Sequence, residues 1–281
     1  MDAQEPEVFS ADALRKRLST RIIGRRIIYH DRLPSTMDAA REAARNGISE
    51  GAVIITGEQV RGRGRLNREW LTPAGNIALS IILYPDRETL PYLIMMAATA
   101  VCRGIEAVTG LKPGIKWPND ILINGKKVCG ILIENELPYK GSVTAVIGIG
   151  INTGLQPEAY REITETATSL EREAGMGISR TEIIVGLLEA FDELYDPGQD
   201  RATVYADWKA RLVTLGEQVT VTWKDNVLEG TAESVDESGA LVLRLPDGST
   251  TVVVAGDVTL RKNNEAEEPE SFDPADESED T

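Results

Sequence analysis

The stretch Gly62-Arg63-Gly64-Arg65-Leu66-Asn67-Arg68-Glu69-Trp70 places three arginines within nine residues of a chain whose formal net charge is -15. Planar guanidinium groups bind phosphates and carboxylates through paired hydrogen bonds. The two glycines permit positive φ angles and let the backbone approach a ligand closely. The stretch therefore predicts a glycine-hinged loop for a phosphorylated or adenylated ligand, and the alternative is a solvated surface loop.

The runs on either side of this stretch predict a mixture of strands and helices. Short apolar runs bounded by turn residues predict strands at 26–30, 51–59, 76–83, 115–117, 121–124, 127–135 and 143–152. Helical spacing of apolar residues predicts helices at 11–18, 36–46, 87–109, 182–195 and 201–212. Because strands and helices do not alternate strictly, the order predicts an α+β fold whose mixed β-sheet carries helices on one face.

The sequence pattern changes near residue 216. Short alternating strands at 218–223, 227–235, 240–245 and 250–254 predict a small antiparallel β-barrel. We expect a short N-terminal helical segment at 1–20, a large domain at 21–212, the barrel at 213–261 and an acidic tail at 262–281. The tail has almost no apolar residue to bury and is expected to be disordered.

The composition disfavours several classes of protein. The acidic net charge opposes bulk binding to nucleic acid or to an anionic membrane. No apolar run is expected to be long enough to span a membrane, and the first residues do not resemble a signal peptide. Cys102, Cys129 and one histidine are too few for a zinc site, so both cysteines are interpreted as buried small residues. The chain is therefore expected to be cytoplasmic, and its charges are compatible with a salt-tolerant organism.

A second stretch, Lys116-Trp117-Pro118-Asn119-Asp120, puts polar side chains into an apolar strand region. Burying these groups is costly unless they have partners. The proline break is expected to aim Asn119 and Asp120 into a cavity. A simple β-turn with an Asx cap explains the same residues equally well.

Two further stretches carry a lysine or glycines inside predicted strands. Lys127 alternates with Cys129, so it is expected to share a buried face and to bind an anion there. A solvated hairpin end is the alternative. Gly148 and Gly150 lie in an apolar strand that ends at Asn152, which indicates a bulge or the close approach of another group. Packing against a helix is the alternative.

The four stretches, in this order and spacing, resemble the biotin protein ligase family. The family pattern is Gly-Arg-Gly-Arg ending in Arg-x-Trp, then Lys-Trp-Pro-Asn-Asp, then Lys-x-x-Gly with three apolar residues and Glu, then Gly-x-Gly-x-Asn with apolar x. Ser35-Thr36 and Gln59 also match. The resemblance covers roughly residues 22–260 and implies a class II synthetase-like catalytic domain followed by a β-barrel of the Src-homology-3 type.

The resemblance implies an ATP-dependent ligase. Members of the family convert biotin and ATP to biotinyl-5'-AMP and pyrophosphate, then transfer biotin to one lysine of a biotin carboxyl carrier protein, such as that of acetyl-CoA carboxylase. Mg²⁺ would accompany ATP, with no strong direct metal site in the protein, and a homodimer is compatible with the family. About twenty residues precede Ile22. A DNA-binding winged helix needs more, so we expect a ligase that binds no nucleic acid.

Motif position, through the resemblance, also implies roles for individual residues. Catalysis falls to Lys127, Asp120 and Arg65. Biotin binding falls to Ser35, Thr36, Met37, Gln59, Gly62, Arg63, Gly64, Arg65, Lys127 and Gly130. ATP binding is assigned to Arg63, Arg65, Arg68, Trp70, Asn119, Lys127 and Asn152. Asn152 and Glu134 are expected either to support the residues that contact the ligand or to lie on the ATP side. Lys127 would contact the biotin carboxylate, Trp70 the adenine and Asp120 the incoming lysine amine.

One residue departs from the family pattern, and two other functions remain open. Met37 stands where the family usually has asparagine, so one polar group near biotin is missing or replaced. A lipoate or octanoate ligase shares the general fold but not the Gly-Arg-Gly-Arg and Lys-Trp-Pro-Asn-Asp signatures. A biotin- or nucleotide-sensing module would not need the charged site residues, which this chain retains.

Overall fold

The structure of the protein is a computed structural model that describes residues 9–136, 143–223 and 226–260. The tail predicted at 262–281 lies outside the described residues. The described helices are α1 (Ala11–Arg17), α2 (Thr36–Arg45), α3 (Leu93–Thr109), α4 (Leu170–Ala174), α5 (Arg180–Leu194) and α6 (Arg201–Ala210). The described strands of the first sheet are β1 (Ile27–Leu33), β2 (Val53–Arg63), β3 (Glu69–Thr72), β4 (Ile77–Leu83), β5 (Gly114–Lys116), β6 (Asp120–Ile123), β7 (Lys126–Glu136) and β8 (Thr144–Ile151).

Strands β1 to β8 form one mixed sheet. Its order is β1-β2-β4-β8-β7-β6-β5, and β3 pairs with β2 beside this path. Strands β1 and β2 run parallel, and the other strand pairs of this sheet are antiparallel. The mixed sheet predicted from the sequence is therefore confirmed, although β3 and the short helix α4 were not predicted.

The main core lies between this sheet and the helices α3 and α5. Ile81 and Ile147 belong to the sheet residues that are buried in it. The segment Leu90–Thr109 is long and apolar enough to cross a membrane by length and composition, so the expectation that no such run exists is wrong. However, 61% of its apolar stretch is buried inside the protein. It packs against α5 as a core helix.

Helix α2 lies on the opposite face of the sheet, so the prediction that helices cover one face only is wrong. Met37 and Ala40 of α2 form a second, smaller core with Ile54, Ile82 and Val146. The strand residues next to these three point the other way, into the main core. Strands β2 and β4 carry consecutive apolar residues, at Val53-Ile54-Ile55 and Ile81-Ile82-Leu83, because both of their faces are covered here.

The C-terminal strands form a separate antiparallel sheet. They are β9 (Gln218–Trp223), β10 (Asn226–Val235), β11 (Leu241–Arg244), β12 (Thr250–Val253) and β13 (Asp257–Leu260). Their order is β12-β11-β10-β9-β13, and no pairing of β12 with β13 closes a barrel among the described residues. The all-β antiparallel unit is confirmed, and β13 was not predicted.

Hydrogen bonds around Trp117 join the C-terminal unit to β5. The backbone N–H of Trp117 donates to Thr214 Oγ1 at 2.8 Å, and the indole N–H donates to the carbonyl oxygen of Gly239 at 2.8 Å. Ile115 also pairs with Leu212 in an isolated parallel bridge. The Lys-Trp-Pro-Asn-Asp stretch is therefore anchored to both units of the protein. The four-part division of the chain stays a prediction.

The segment before β1 is attached to α5 through Asp192. This buried carboxylate accepts backbone N–H groups from Arg21 at 2.7 Å and from Ile22 and Ile23 at 2.8 Å each. Because a buried N–H without an acceptor is costly, this one side chain fixes the path of the chain into the sheet.

Candidate active site

The arginine-rich stretch is a β-hairpin, not a glycine-hinged loop. Strand β2 extends through Arg63, a 3-10 turn covers Arg65–Asn67, and β3 returns along β2. Gly62 therefore lies inside a strand. The sequence predicted a strand only as far as Gln59, because the apolar run Val53-Ile54-Ile55 is followed by polar residues.

The two glycines of the hairpin have different roles. Gly62 pairs with Trp70, and a Cβ on Gly62 would lie 2.1 Å from the carbonyl oxygen of Trp70. Gly64 has φ of -107°, and a Cβ there would lie 3.4 Å from the carbonyl oxygen of Arg68. Positive φ falls instead on Leu66, at 54°. The expectation of positive φ is wrong for both glycines, whereas their action as hinges stays a prediction. Gly62 is needed for close contact between strands.

Glycines on neighbouring strands form the floor of a cleft beneath the hairpin. Asp120, Gly130 and Gly150 lie side by side across β6, β7 and β8. The indole of Trp70 covers both glycines. A Cβ added to Gly130 would lie 3.0 Å from the indole ring, and a Cβ added to Gly150 would lie 2.1 Å from the indole Nε1. The close-approach interpretation of the Gly-x-Gly strand is confirmed at Gly150.

Gly148, two residues earlier on the same face, makes room for a helix residue. A Cβ on Gly148 would lie 2.5 Å from the sulfur of Met37 in α2. Met37 is buried. The residue that replaces the family's asparagine therefore forms an apolar wall, and packing against a helix explains this glycine.

One end of the cleft is polar and carries little charge. Gln59 Oε1 accepts hydrogen bonds from Thr36 N at 2.9 Å and from Thr36 Oγ1 at 3.1 Å, and Gln59 Nε2 donates to Thr72 Oγ1 at 3.2 Å. Ser80 Oγ donates to Thr36 Oγ1 at 2.8 Å. The hydroxyl of Ser35 is buried without a hydrogen-bond partner among the described residues. A buried hydroxyl without a partner favours a polar ligand group beside it.

Arg63 lies in a network of charges beside this polar end. Its Nη2 lies 3.2 Å from Asp38 Oδ1 and 3.2 Å from Glu134 Oε2. Arg41 also pairs with both carboxylates. Two guanidinium groups therefore face two carboxylates here. Arg63 lines the cleft as predicted, but its charge is already balanced by the protein.

The other end of the cleft holds the remaining arginines of the hairpin. Arg65 Nη1 donates to Asn119 Oδ1 at 3.0 Å, and Asn119 Nδ2 donates to the carbonyl of Ile131 at 2.8 Å. Burial lowers the pKa of Arg65, and nearby Asp257 and Asp120 oppose that shift. Arg68 pairs with Asp257 of β13. The C-terminal sheet thus contributes directly to the site.

Lys127 reaches the cleft, but not by the route expected. Its Nζ lies 2.6 Å from Asp120 Oδ1 and 5.2 Å from the centroid of the Trp70 ring. Cys129 points the other way, into the main core. The prediction that Lys127 and Cys129 share a face of the sheet is wrong. The register between β6 and β7 shifts next to Cys129, so Leu122 is opposite Lys127. A bulge of this kind turns a side chain to the other face.

These groups surround a single cleft of about 640 Å³, within the size range of small-molecule sites. Of the predicted site residues, thirteen line it, and Ser35, Gly62 and Glu134 do not. Glu134 pairs instead with Arg41 and Arg63. Lys116, which the sequence analysis placed in a candidate stretch without a role, also lines it. The segment at 162–167 and the C-terminal residues Asp257, Thr259 and Leu260 line it too and were not predicted.

Comparison with known sequences identifies the family to which the chain belongs. A model of the biotin/lipoate A/B protein ligase family matches residues 29–152, and one of the biotin protein ligase C-terminal domain matches 214–261. The chain is 36% identical to the bifunctional ligase/repressor BirA of Bacillus subtilis, over 87% of this chain and 77% of the relative. The chain belongs to the biotin protein ligase family. It is also 35% identical to the biotin–[acetyl-CoA-carboxylase] ligase of Paracoccus denitrificans, over 74% of this chain and 90% of the relative.

A solved member of the biotin protein ligase family has the same fold. The Aquifex aeolicus biotin protein ligase in complex with biotin and ATP has a TM-score of 0.72 and 26% identity, covering 84% of this chain and 99% of that one. The present chain is therefore a ligase with the biotin protein ligase fold.

Two further residues of this biotin protein ligase, Asn152 and Cys129, stabilise the structure around the cleft. Asn152 is buried, and its Nδ2 donates to the carbonyl of Thr168 at 3.1 Å and to that of Lys127 at 3.4 Å. It therefore positions the strand that carries Lys127. Cys129 is buried and burial raises the pKa of its thiol well above the ordinary value. A thiol in that state is a poor nucleophile, which supports its interpretation as a core residue.

Proposed function

We propose that this chain joins biotin to ATP, forming biotinyl-5'-AMP and pyrophosphate, and then transfers biotin to a lysine of a biotin carboxyl carrier protein, such as that of acetyl-CoA carboxylase. The observation that carries the proposal is the division of one cleft. Its Thr36–Gln59 end is polar and suits an uncharged ring, whereas its Arg65–Arg68 end carries guanidinium groups that suit phosphates. Lys127 lies on the floor beside the Arg65–Arg68 end, next to Asp120.

The first step joins two anions, so repulsion opposes it. A biotin carboxylate oxygen attacks the α-phosphorus, and the bond from that phosphorus to the pyrophosphate oxygen breaks. Lys127 and Arg65 hold fixed positive charge where negative charge develops, and removing one such group typically costs about 10²- to 10³-fold in rate. The pair of Lys127 with Asp120 keeps the ammonium oriented before the anion arrives.

The second step uses Asp120. Once Lys127 contacts the anionic adenylate, Asp120 can accept a proton from the incoming lysine ammonium. The free amine then attacks the biotinyl carbonyl carbon, AMP leaves with the electron pair of the broken bond, and the second proton of the attacking nitrogen passes to the departing phosphate or to water. Trp70 closes the floor beside this position, with its indole over Gly130 and Gly150.

Mg²⁺ is proposed to enter with ATP. This ion prefers phosphate oxygens, one or two carboxylates and water. Asp120 and Asp257 line the cleft, but each is already paired with a cation, Lys127 or Arg68. The phosphates and water would therefore supply most of the ligands of the ion, with no strong direct site in the described part of the protein. When bound, Mg²⁺ would add positive charge to the triphosphate.

The test uses the purified chain with biotin, ATP, Mg²⁺ and an apo carrier domain. We expect pyrophosphate release and a carrier mass increased by one biotinyl group. Lys127→Met should lose both signals about 10²-fold or more, whereas Lys126→Met, at the neighbouring position, should keep them. Binding of biotin and ATP without turnover would contradict the ligase and favour a sensing module. Faster adenylation of lipoate than of biotin would favour a lipoate ligase.

The remaining expectations are proposals too. The C-terminal sheet is proposed to be of the Src-homology-3 type, supported by its five short antiparallel strands. The chain is proposed to act in the cytoplasm without binding nucleic acid or membrane, supported by its net charge of -15. A homodimer is proposed, supported by family resemblance. Sedimentation, and binding assays with DNA and anionic vesicles, test these points.

A further inference from the structure

We propose that β12, an outer strand of the C-terminal sheet, is an interface at which two copies of this chain pair in antiparallel fashion. The pairing joins the two five-stranded sheets into one continuous sheet. This inference goes beyond the proposed ligase reaction, because it concerns an edge of the protein that lies away from the cleft. Three observations carry it: open backbone groups, an uncharged edge and exposed valines.

The outer edge of β12 presents backbone groups that have no strand partner. Strand β12 pairs with β11 on one side and has no second neighbour among the described strands. Just before β12, the backbone N–H of Leu245 donates to the carbonyl oxygen of Ser249. Because hydrogen-bonded and non-hydrogen-bonded pairs alternate in an antiparallel ladder, the N–H and C=O groups of Thr250 and Val252 point away from β11. Such a row of groups is a template for another strand.

The same edge lacks the charges, prolines and bulges that commonly protect edge strands. The segment from Gly248 to Gly256 contains no charged residue and no proline. The register between β11 and β12 runs without a shift. The opposite edge of the sheet, β13, differs because its Asp257 pairs with Arg68 of the arginine-rich hairpin. Strand β12 is therefore the edge of this sheet that is most open to pairing.

Valine side chains on this edge are exposed to solvent. Val252 is 57% exposed and Val254, directly after the strand, is 80% exposed, whereas Val253 between them is buried. The alternation of side chains along a strand places Thr250 and Val252 on the outer face of the sheet. β-branched residues favour paired strands. A partner strand would cover these side chains while it pairs with the backbone.

A second copy of the chain fits this edge, because an antiparallel pair of identical strands has a two-fold axis. The register that places Val252 opposite the partner's Val252 also places Val254 opposite the partner's Thr250. Cross-strand pairs of β-branched residues stabilise a sheet. The net charge of -15 opposes the approach of two copies, and an uncharged edge adds least to that repulsion.

The position of β12 separates this interface from the cleft. In the sheet order β12-β11-β10-β9-β13, the cleft residues Asp257, Thr259 and Leu260 belong to β13, at the far edge. Pairing at β12 therefore leaves the cleft open. One short strand buries far less surface than the roughly 1,200 Å² of a stable complex, so we expect a weak dimer with a dissociation constant on the order of 100 µM.

Sedimentation equilibrium of the full chain between about 5 and 500 µM tests the proposal. The test variant is Val252→Lys, which places two ammonium groups opposite each other across the two-fold axis. The matched control is Val227→Lys, since Val227 is 58% exposed but belongs to β10. Hydrogen exchange of the wild type at both ends of the concentration range follows the amides of Thr250 and Val252. Thermal unfolding checks that each variant is folded, and pyrophosphate release from biotin and ATP is measured in parallel.

We expect the dimer fraction to rise with concentration for the wild type and for Val227→Lys, whereas Val252→Lys should have a dissociation constant more than about tenfold higher. The amides of Thr250 and Val252 should exchange about threefold more slowly at the high concentration. A monomeric wild type, a dimer that survives Val252→Lys, or unchanged exchange at this edge would overturn the proposal.

The activity measurement separates this proposal from the ligase function. Pyrophosphate release should agree within about twofold among the three proteins, since exposed positions outside a site are usually neutral. A loss confined to Val252→Lys would contradict the separation of the edge from the cleft. If the wild type releases no pyrophosphate, the proposed function fails, whereas the sedimentation result still decides the interface.

Discussion

The two glycines of the arginine-rich hairpin should respond very differently to alanine. In Gly62→Ala the new Cβ would start 2.1 Å from the carbonyl oxygen of Trp70, although a comfortable contact is about 3.4 Å. The difference means that β2 and β3 must separate locally by more than about 1 Å. In Gly64→Ala the Cβ would lie 3.4 Å from the nearest atom, and φ of -107° suits any residue.

This displacement gives the expected magnitudes. Forced overpacking costs about 1–3 kcal/mol in the free energy of unfolding, a tolerable part of the 5–15 kcal/mol typical of a domain. The hairpin carries Arg65 and Trp70, however, and moving catalytic groups by about 1 Å costs on the order of 10²-fold in rate. Gly62→Ala should therefore fold but lose about 10²-fold in kcat/KM for ATP.

Urea unfolding and pyrophosphate release measure both quantities on the same samples. Gly64→Ala is the control, and we expect its stability within about 0.5 kcal/mol of wild type. Near-normal activity of Gly62→Ala would show that the hairpin is not tightly paired at that position. Equal damage from both variants would contradict the distinction between the glycines.

Three further predictions follow from individual contacts. Asp257→Asn removes the charge that pairs with Arg68. We expect KM for ATP to change several-fold, while the free energy of unfolding changes by less than about 1 kcal/mol. An unchanged KM would exclude a role of the C-terminal sheet in the site. Asp192→Ala leaves three backbone N–H groups without their acceptor, and the expected loss is about 3 kcal/mol or more in urea unfolding. The comparison is Glu189→Ala, which removes the acceptor of one backbone N–H and one hydroxyl, both of Ser19; equal losses would refute the prediction. Burial lowers the pKa of Lys116 below 10.5. Between that lowered pKa and 10.5, the unfolded chain binds more protons than the folded chain. The stability of the wild type relative to Lys116→Met should therefore rise with pH in that window and stay constant below it. A falling difference would contradict the burial.

The sequence alone was sufficient for the family, and thirteen of the residues predicted from it line the cleft. Motifs such as Lys116 to Asp120 are local, and the chemistry of their side chains does not depend on knowing the fold. The strands flanking the arginine-rich stretch could also be predicted, since a run such as Val53-Ile54-Ile55 has few alternatives to a buried strand. The roles of these residues stay predictions until the variants are assayed.

Tertiary structure decided the relations between distant segments. The pairing of Gly62 with Trp70, the side of the sheet that α2 covers, and the register shift that turns Lys127 into the cleft all depend on pairing partners. Asp257 reaches the site only because Trp117 anchors the C-terminal sheet beside β5. Such contacts leave no periodic signal in the chain, because register and docking are set by residues far apart in sequence. The sequence identifies the groups that carry the chemistry, and long-range packing decides which of them meet.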